Sequence, residues 1–221
     1  MKSADMFWNT ISSYNNATIF YQTVIFFIGL LLTIWLYTNP SQKAKVSMKI
    51  YLAFCFAWIS IVFFILYDKS VIGHFIASPL FGVISILFIV DIFVNKTKFE
   101  FNKIKAIQIV VAIFYLLYLI YPILSFIIGH RFPKIVTLIM PCPITVFAIT
   151  IMVHSMPKID KKVFVLLLIW GITALPKVFK FQVPEDWILF ASGIYGLAML
   201  IYYFFVIKLK FISSSHNKQI I

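Results

Sequence analysis

The chain is short of what a water-soluble protein of its length needs. Only 12% of its 221 residues are charged and 7 are acidic, whereas a soluble domain keeps about a quarter of its positions charged to coat its surface. Cysteine is scarce as well. Cys55 and Cys142 each sit inside an apolar run, which excludes the disulfide framework on which small secreted domains depend. On helical spacing their levels in a membrane differ by roughly 12 Å, so no bond between them is expected. Arg131 is the only arginine among 19 basic residues. The lysines fall in short gaps between apolar stretches and form no patch interleaved with polar base readers, so the net charge of +12 does not indicate nucleic acid. The chain carries no G-x-S-x-G elbow, no phosphate-cradling G-x-x-x-x-G-K-S/T and no dinucleotide fingerprint, and its 4 histidines have no helical His-x-x-x-His or Glu-x-x-His spacing. Hydrolase, nucleotide and zinc chemistry are thus poorly supported, and no cofactor is expected.

Apolar sequence is abundant. It makes up 62% of the chain, with 25 Phe, 11 Tyr and 5 Trp and a mean hydropathy of +1.01, so water is the wrong solvent for this surface. Seven runs approach the roughly 17–25 residues that a spanning helix requires: 19–37, 50–67, 76–94, 106–128, 135–153, 163–179 and 188–207. The gaps NPSQKAKVSMK, NKTKFEFNKIK and HSMPKIDKK mix Pro, Asn and Lys in the manner of solvated turns. None is long enough for a soluble domain. The sequence therefore predicts an all-α polytopic transmembrane bundle of seven spans, one integral membrane domain over 1–221 whose first partner is the lipid bilayer. Seven spans do not divide into equal halves, which argues against a simple inverted repeat.

Lysine and arginine set the expected orientation. The first, third and fifth gaps and the tail hold 13 of them, and the opposite side holds 6. Since positive loops are retained in the cytoplasm, the amino terminus is expected outside and the carboxyl terminus, with its basic tail 208–221, inside. Before the first span, MFWNTISSYNNAT places Phe7, Ile11 and Tyr14 on one helical face, which predicts an outer interfacial segment over 1–18. Only Lys2 precedes this segment and no small-x-small site ends it, so the first span is expected to be retained rather than removed as a signal.

Candidate chemistry concentrates in the later spans. Pro141, Cys142 and Pro143, with Thr145 close behind, predict a kinked or unwound fifth helix whose freed carbonyls need partners. Such a break is either a packing kink around an inert thiol or a binding site, where Cys142 and Met140 offer soft donors. Pro176 interrupts the sixth run after Trp170, and the next gap is expected to bring Glu185 and Asp186 near Lys177 and Lys180, either as a charge-selecting outer vestibule or as a tight hairpin held by ion pairs. Asp91 is the only acidic residue embedded in a span. It is a candidate ion relay, or else it reaches the interface or Lys96. Ser192, Gly193 and Gly196 form a small-residue face for close helix packing, within the chain or with a partner helix or second copy.

The run GHRFPKIVTLIMPCPITVFAITIMV, the WGITAL and PEDW segments and the YNNATIFYQ stretch together resemble a family of uncharacterised bacterial multi-pass membrane proteins, catalogued as a domain of unknown function. Its members carry a PCP-x-T-x-F-like motif in one helix, a Trp with small residues in the next, and an acidic residue before the last. Pro141, Cys142, Pro143, Thr145 and Phe147 match that pattern, as do Trp170, Gly171 and Asp186. Ile144 stands where a second Thr is usual, and Leu175-Pro176-Lys177 departs from a smaller apolar stretch. The resemblance covers nearly the whole chain and implies a multi-pass protein of the bacterial inner membrane, without an activity to transfer.

Three functions follow as expectations. The first is permeation or transport of a small solute or ion through a cavity at the broken fifth and sixth helices, contacted by Cys142, Thr145 and Trp170. The second is a non-catalytic accessory subunit. The third is a thiol-dependent membrane enzyme using Cys142, which is weakened because no base is visible near that residue in sequence.

Overall fold

The computed structural model describes residues 3–68 and 70–217, with side chains for 4–68 and 70–206. Lys2, Lys69 and Lys218, which enter the charge count, lie outside the described residues, as do the side chains of Lys208 and Lys210. The described chain is all-helical. No strand occurs in it beyond an isolated bridge between Arg131 and Lys134.

Helix α1 (Ser3–Thr38) is one uninterrupted helix of 36 residues, about 54 Å long. The segment expected to lie in the interface over 1–18 is therefore continuous with the first span. Its inner face, Ile11, Tyr14, Asn15 and Thr18, is buried against the bundle, while Phe20, Phe27 and Leu31 face outward. Helix α2 (Gln42–Trp58) starts at Ser41, whose hydroxyl accepts the Ala44 N–H, and widens into a π-helical stretch, Ile59–Tyr67. After a second π-turn, Gly73–Ala77, comes α3 (Ser78–Val94).

Proline accounts for the later breaks, because it lacks an N–H and its ring collides with the carbonyl four residues back. Pro122 meets Tyr118 in this way, so the run read as a single span over 106–128 divides into α4 (Lys105–Leu119) and α5 (Tyr121–Ile128), bent by 56°. Pro176 opposes Ile172, and a one-residue break at Thr173 separates α7 (Lys161–Ile172) from α8 (Ala174–Phe181). That break is gentle, and the two still form one apolar segment of 21 residues. Helix α9 (Trp187–Asn217) continues past 207, where the tail was expected to begin.

Five helical segments are long and apolar enough to cross a membrane, and the bent α4–α5 pair would make a sixth. The exception is α6 (Pro141–His154). Its 14 residues make about 21 Å of helix, short of a hydrocarbon core of about 30 Å. The helix expected over 135–153 thus begins six residues late. α6 is the centre of the bundle, since every one of its residues except Cys142 is buried, with α4, α7 and α9 packed around it. Gly171 and Gly193 bring α7 and α9 into backbone contact: a Cβ on Gly171 would lie 3.1 Å from Gly193 Cα. Gly196 lies against Phe164, Leu168 and Ile149, and Ser192 is buried with its hydroxyl on Leu189 O. The small-residue face is therefore filled within the chain, by α7 and α6.

The connections gather at two ends. At one, Trp8 meets His130 and donates to Phe181 O. At the other, Phe101 is stacked between Tyr37 and His154, Lys158 pairs with Glu100, and Asn102 donates to Tyr203.

Candidate functional site: a polar cluster at the start of α6

The prolines of the PCP string start a helix and do not kink one. Met140 is extended (φ −109°, ψ 163°), and the first helical bond runs from Ile144 N–H to Met140 O at 3.1 Å. A helix N-terminus ordinarily exposes several N–H groups without partners, but Pro141 and Pro143 have none to expose. Only Cys142 among these three carries one. This chemistry suits a helix that must begin in buried surroundings. The Thr145 hydroxyl donates back to Pro141 O at 2.7 Å, so Thr145 helps satisfy the opening turn and is itself buried.

The irregular backbone before α6 is held by α1. Asn15 Nδ2 donates to Pro133 O and Ile135 O, both at 2.8 Å, and Tyr14 OH donates to Ile139 O at 2.8 Å while accepting from Trp58 Nε1. Gln22 donates to Asn15 Oδ1 and Thr18, and Thr137 donates to Gln22 Oε1 at 2.5 Å. Non-helical backbone buried away from water requires such internal partners.

Cys142 projects from the one open position of α6. Its Sγ donates to Asp186 Oδ2 at 3.1 Å, and Tyr121 OH donates to Asp186 Oδ1 at 2.5 Å. A short 3₁₀ turn, Pro184–Asp186, delivers the carboxylate into this contact just before α9. Glu185, also buried, turns to His130 Nδ1 at 3.2 Å, which lies 3.1 Å from Ser125 Oγ. The Lys177 ammonium sits 3.1 Å from the centroid of the Trp170 ring, within Coulomb range of Cys142 and Asp186. The direct ion pairs expected between Lys177 or Lys180 and the two acids do not form: Glu185 has taken His130 and Asp186 has taken the thiol and the phenol. Three buried polar atoms here have no hydrogen-bond partner among the described residues: Trp170 Nε1, Lys177 Nζ and Glu185 Oε2.

Of the residues singled out in the sequence, Cys142, Trp170 and Asp186 come together, and Pro141 and Pro143 frame them. Tyr121 was not anticipated; its one sequence signal is the Tyr-Pro pair that breaks the fourth run. Met140 does not join the thiol as a second soft donor, because its Sδ accepts the Thr137 N–H at 3.4 Å. Among the described residues, no group of three or more His, Cys, Asp or Glu side chains could hold a metal ion. Both thiols are free.

Asp91 lies elsewhere, at the lysine-rich end. Its side-chain partner is Lys49 at 3.1 Å, not Lys96, whose ammonium turns to Asp160 at 3.4 Å. The main-chain N–H groups of Lys96 and Thr97 complete the carboxylate's shell at 2.6 and 3.1 Å, because left-handed Asn95 folds the chain back over it. Every partner of Asp91 is part of the fold.

A family model described as a family of unknown function, DUF6064, matches residues 4–210, and the chain belongs to that family. No curated protein and no solved structure matches it.

Proposed function

We propose that this member of the DUF6064 family is a seven-crossing protein of the bacterial cell membrane that passes a small polar solute or ion, with Asp186, Cys142, Tyr121, Lys177 and Trp170 as its contact site. The observation that carries the reading is that Trp170 Nε1, Lys177 Nζ and Glu185 Oε2, buried beside the Asp186 carboxylate, have no hydrogen-bond partner among the described residues, the Lys177 ammonium resting on the Trp170 ring alone. Buried polar atoms are costly unless something satisfies them. Two donors and one acceptor set around Asp186 suit a solute with both kinds of group. Asp186 is already bridged by a thiol and a phenol, so it can exchange either of those donors for the solute. Seven crossings fit if the α4–α5 pair is one bent span and if the extended residues before Pro141 complete the span of α6. The 13 to 6 division of basic residues then favours an external amino terminus.

Flux assays in proteoliposomes across a panel of inorganic ions and small zwitterions test the role. Transport of at least one solute, lost in Asp186→Asn and Lys177→Met, is expected; a wild type that passes none of them would refute it. Reporter tags on the two termini should respond from opposite compartments.

A second reading has one observation in its favour. The carboxylate 3.1 Å from Cys142 Sγ is the base that no sequence neighbour supplied, which suits a thiol nucleophile. It requires that a water-soluble maleimide label Cys142 in the folded protein, and that Asp186→Asn slow the labelling.

A further inference from the structure

At the end of the bundle opposite the Asp186 cluster, two cavities adjoin. The first, of about 580 Å³, falls in the size range of small-ligand sites, roughly 300–1,000 Å³. It is lined by Lys96, Lys98, Lys158, Lys161 and Lys162, with Asp160 as the only acid. Lys96 is committed to Asp160, and Lys158 to Glu100 at 2.5 Å. Lys98, Lys161 and Lys162 are exposed and have no ion pair among the described residues. Lys98 also feels Glu100 at Coulomb range, but five lysines against Asp160 within the cavity and Glu100 beside it leave a positive excess that favours an anion.

The second cavity is an apolar groove between α7 and α9, lined by Val165, Leu200, Ile201, Tyr203, Phe204 and Phe205 among others. It shares Pro157, Ile159 and Lys161 with the lysine cavity, so the charged and apolar sites are continuous. Ile201, Phe204 and Phe205 are about half exposed. A ligand that fills both has an anionic head and a hydrocarbon chain, and the junction lies where the apolar helices end and the lysine loops begin.

We propose that this double cavity is a binding site for an anionic phospholipid, with its phosphate held by Lys98, Lys161 and Lys162 and an acyl chain lying along α9. The charge complementarity selects the headgroup, and the groove distinguishes a lipid from a free anion. The site stands apart from the Asp186 cluster and rests only on the protein being in a membrane.

The test uses the full chain purified in detergent with trace phosphatidylglycerol, followed by native mass spectrometry of the lipid it keeps. Phosphatidylglycerol is expected to be retained and phosphatidylcholine lost. Each lysine near a surface strengthens anionic-lipid binding about fivefold, so Lys98→Gln, Lys161→Gln and Lys162→Gln together should weaken retention about 100-fold. Val165→Trp, which fills the groove and leaves the lysines in place, should weaken phosphatidylglycerol binding without changing how inorganic phosphate protects the protein from heat. Circular dichroism verifies that both variants fold. Equal retention of phosphatidylcholine, an unchanged triple variant, or displacement of the lipid by inorganic phosphate at equal concentration would each overturn the proposal.

Discussion

The thiol of Cys142 and the carboxylate of Asp186, 44 positions apart in the chain, meet at 3.1 Å, with Tyr121 on the other carboxylate oxygen. Asp186 therefore gathers α6, α5 and the turn before α9. Asp186→Asn keeps an acceptor for one donor and should cost about 1–3 kcal/mol. Asp186→Ala strands both the thiol and the phenol, at about 1–3 kcal/mol each, and removes a negative charge within Coulomb range of Lys177. Thermal unfolding in micelles should rank wild type above Asn and Asn above Ala; equal midpoints would show that the cluster adds nothing to stability.

Asn15 closes two carbonyls of a non-helical segment from a helix more than a hundred residues earlier. Asn15→Ala strands Pro133 O and Ile135 O at about 1–3 kcal/mol each. The disturbance should be local first, so amides in 131–140 are expected to exchange with deuterium sooner while α2 and α3 keep their protection.

Lys49 and Asp91 form an ion pair that is shut off from solvent, with side chains 1% and 0% exposed. Removing one partner is the damaging change. Asp91→Leu should destabilise by about 3–5 kcal/mol, and adding Lys49→Met should recover much of that loss. If Asp91 were an ion relay, the double variant would lose flux even where stability returned, so measuring both quantities separates the two roles.

Gly171 and Gly193 permit the close approach of α7 and α9. A methyl on either meets the other's backbone, which cannot move aside as a side chain would. Gly171→Ala or Gly193→Ala should cost about 1–3 kcal/mol, whereas Gly129→Ala, which meets no atom within 4 Å but sits at φ +119°, should suffer from backbone strain alone.

The apolar runs were legible because hydropathy is a local property, and each reappears as helix, although the run at 135–153 becomes helical only from Pro141. Cys142, Trp170 and Asp186 were legible as unusual residue types in apolar sequence. Their grouping was not, and Tyr121 carried almost no signal because a tyrosine in a greasy run is unremarkable until something faces it. The PCP string reads as a kink or unwinding in the sequence, since two prolines two residues apart remove two backbone donors inside an apolar run; the extended backbone before it depends on Asn15 and Gln22, which lie on another helix.

The order of residues by itself determined that this chain is helical, with long apolar runs and lysines gathered in the gaps between them, because hydropathy and charge are local properties that need no tertiary contact to be read. Where each helix starts, which acid meets which donor, and which lysines share a cavity were decided by packing alone. Those contacts join residues far apart in sequence, and only the folded bundle sets which side chains come within bonding distance.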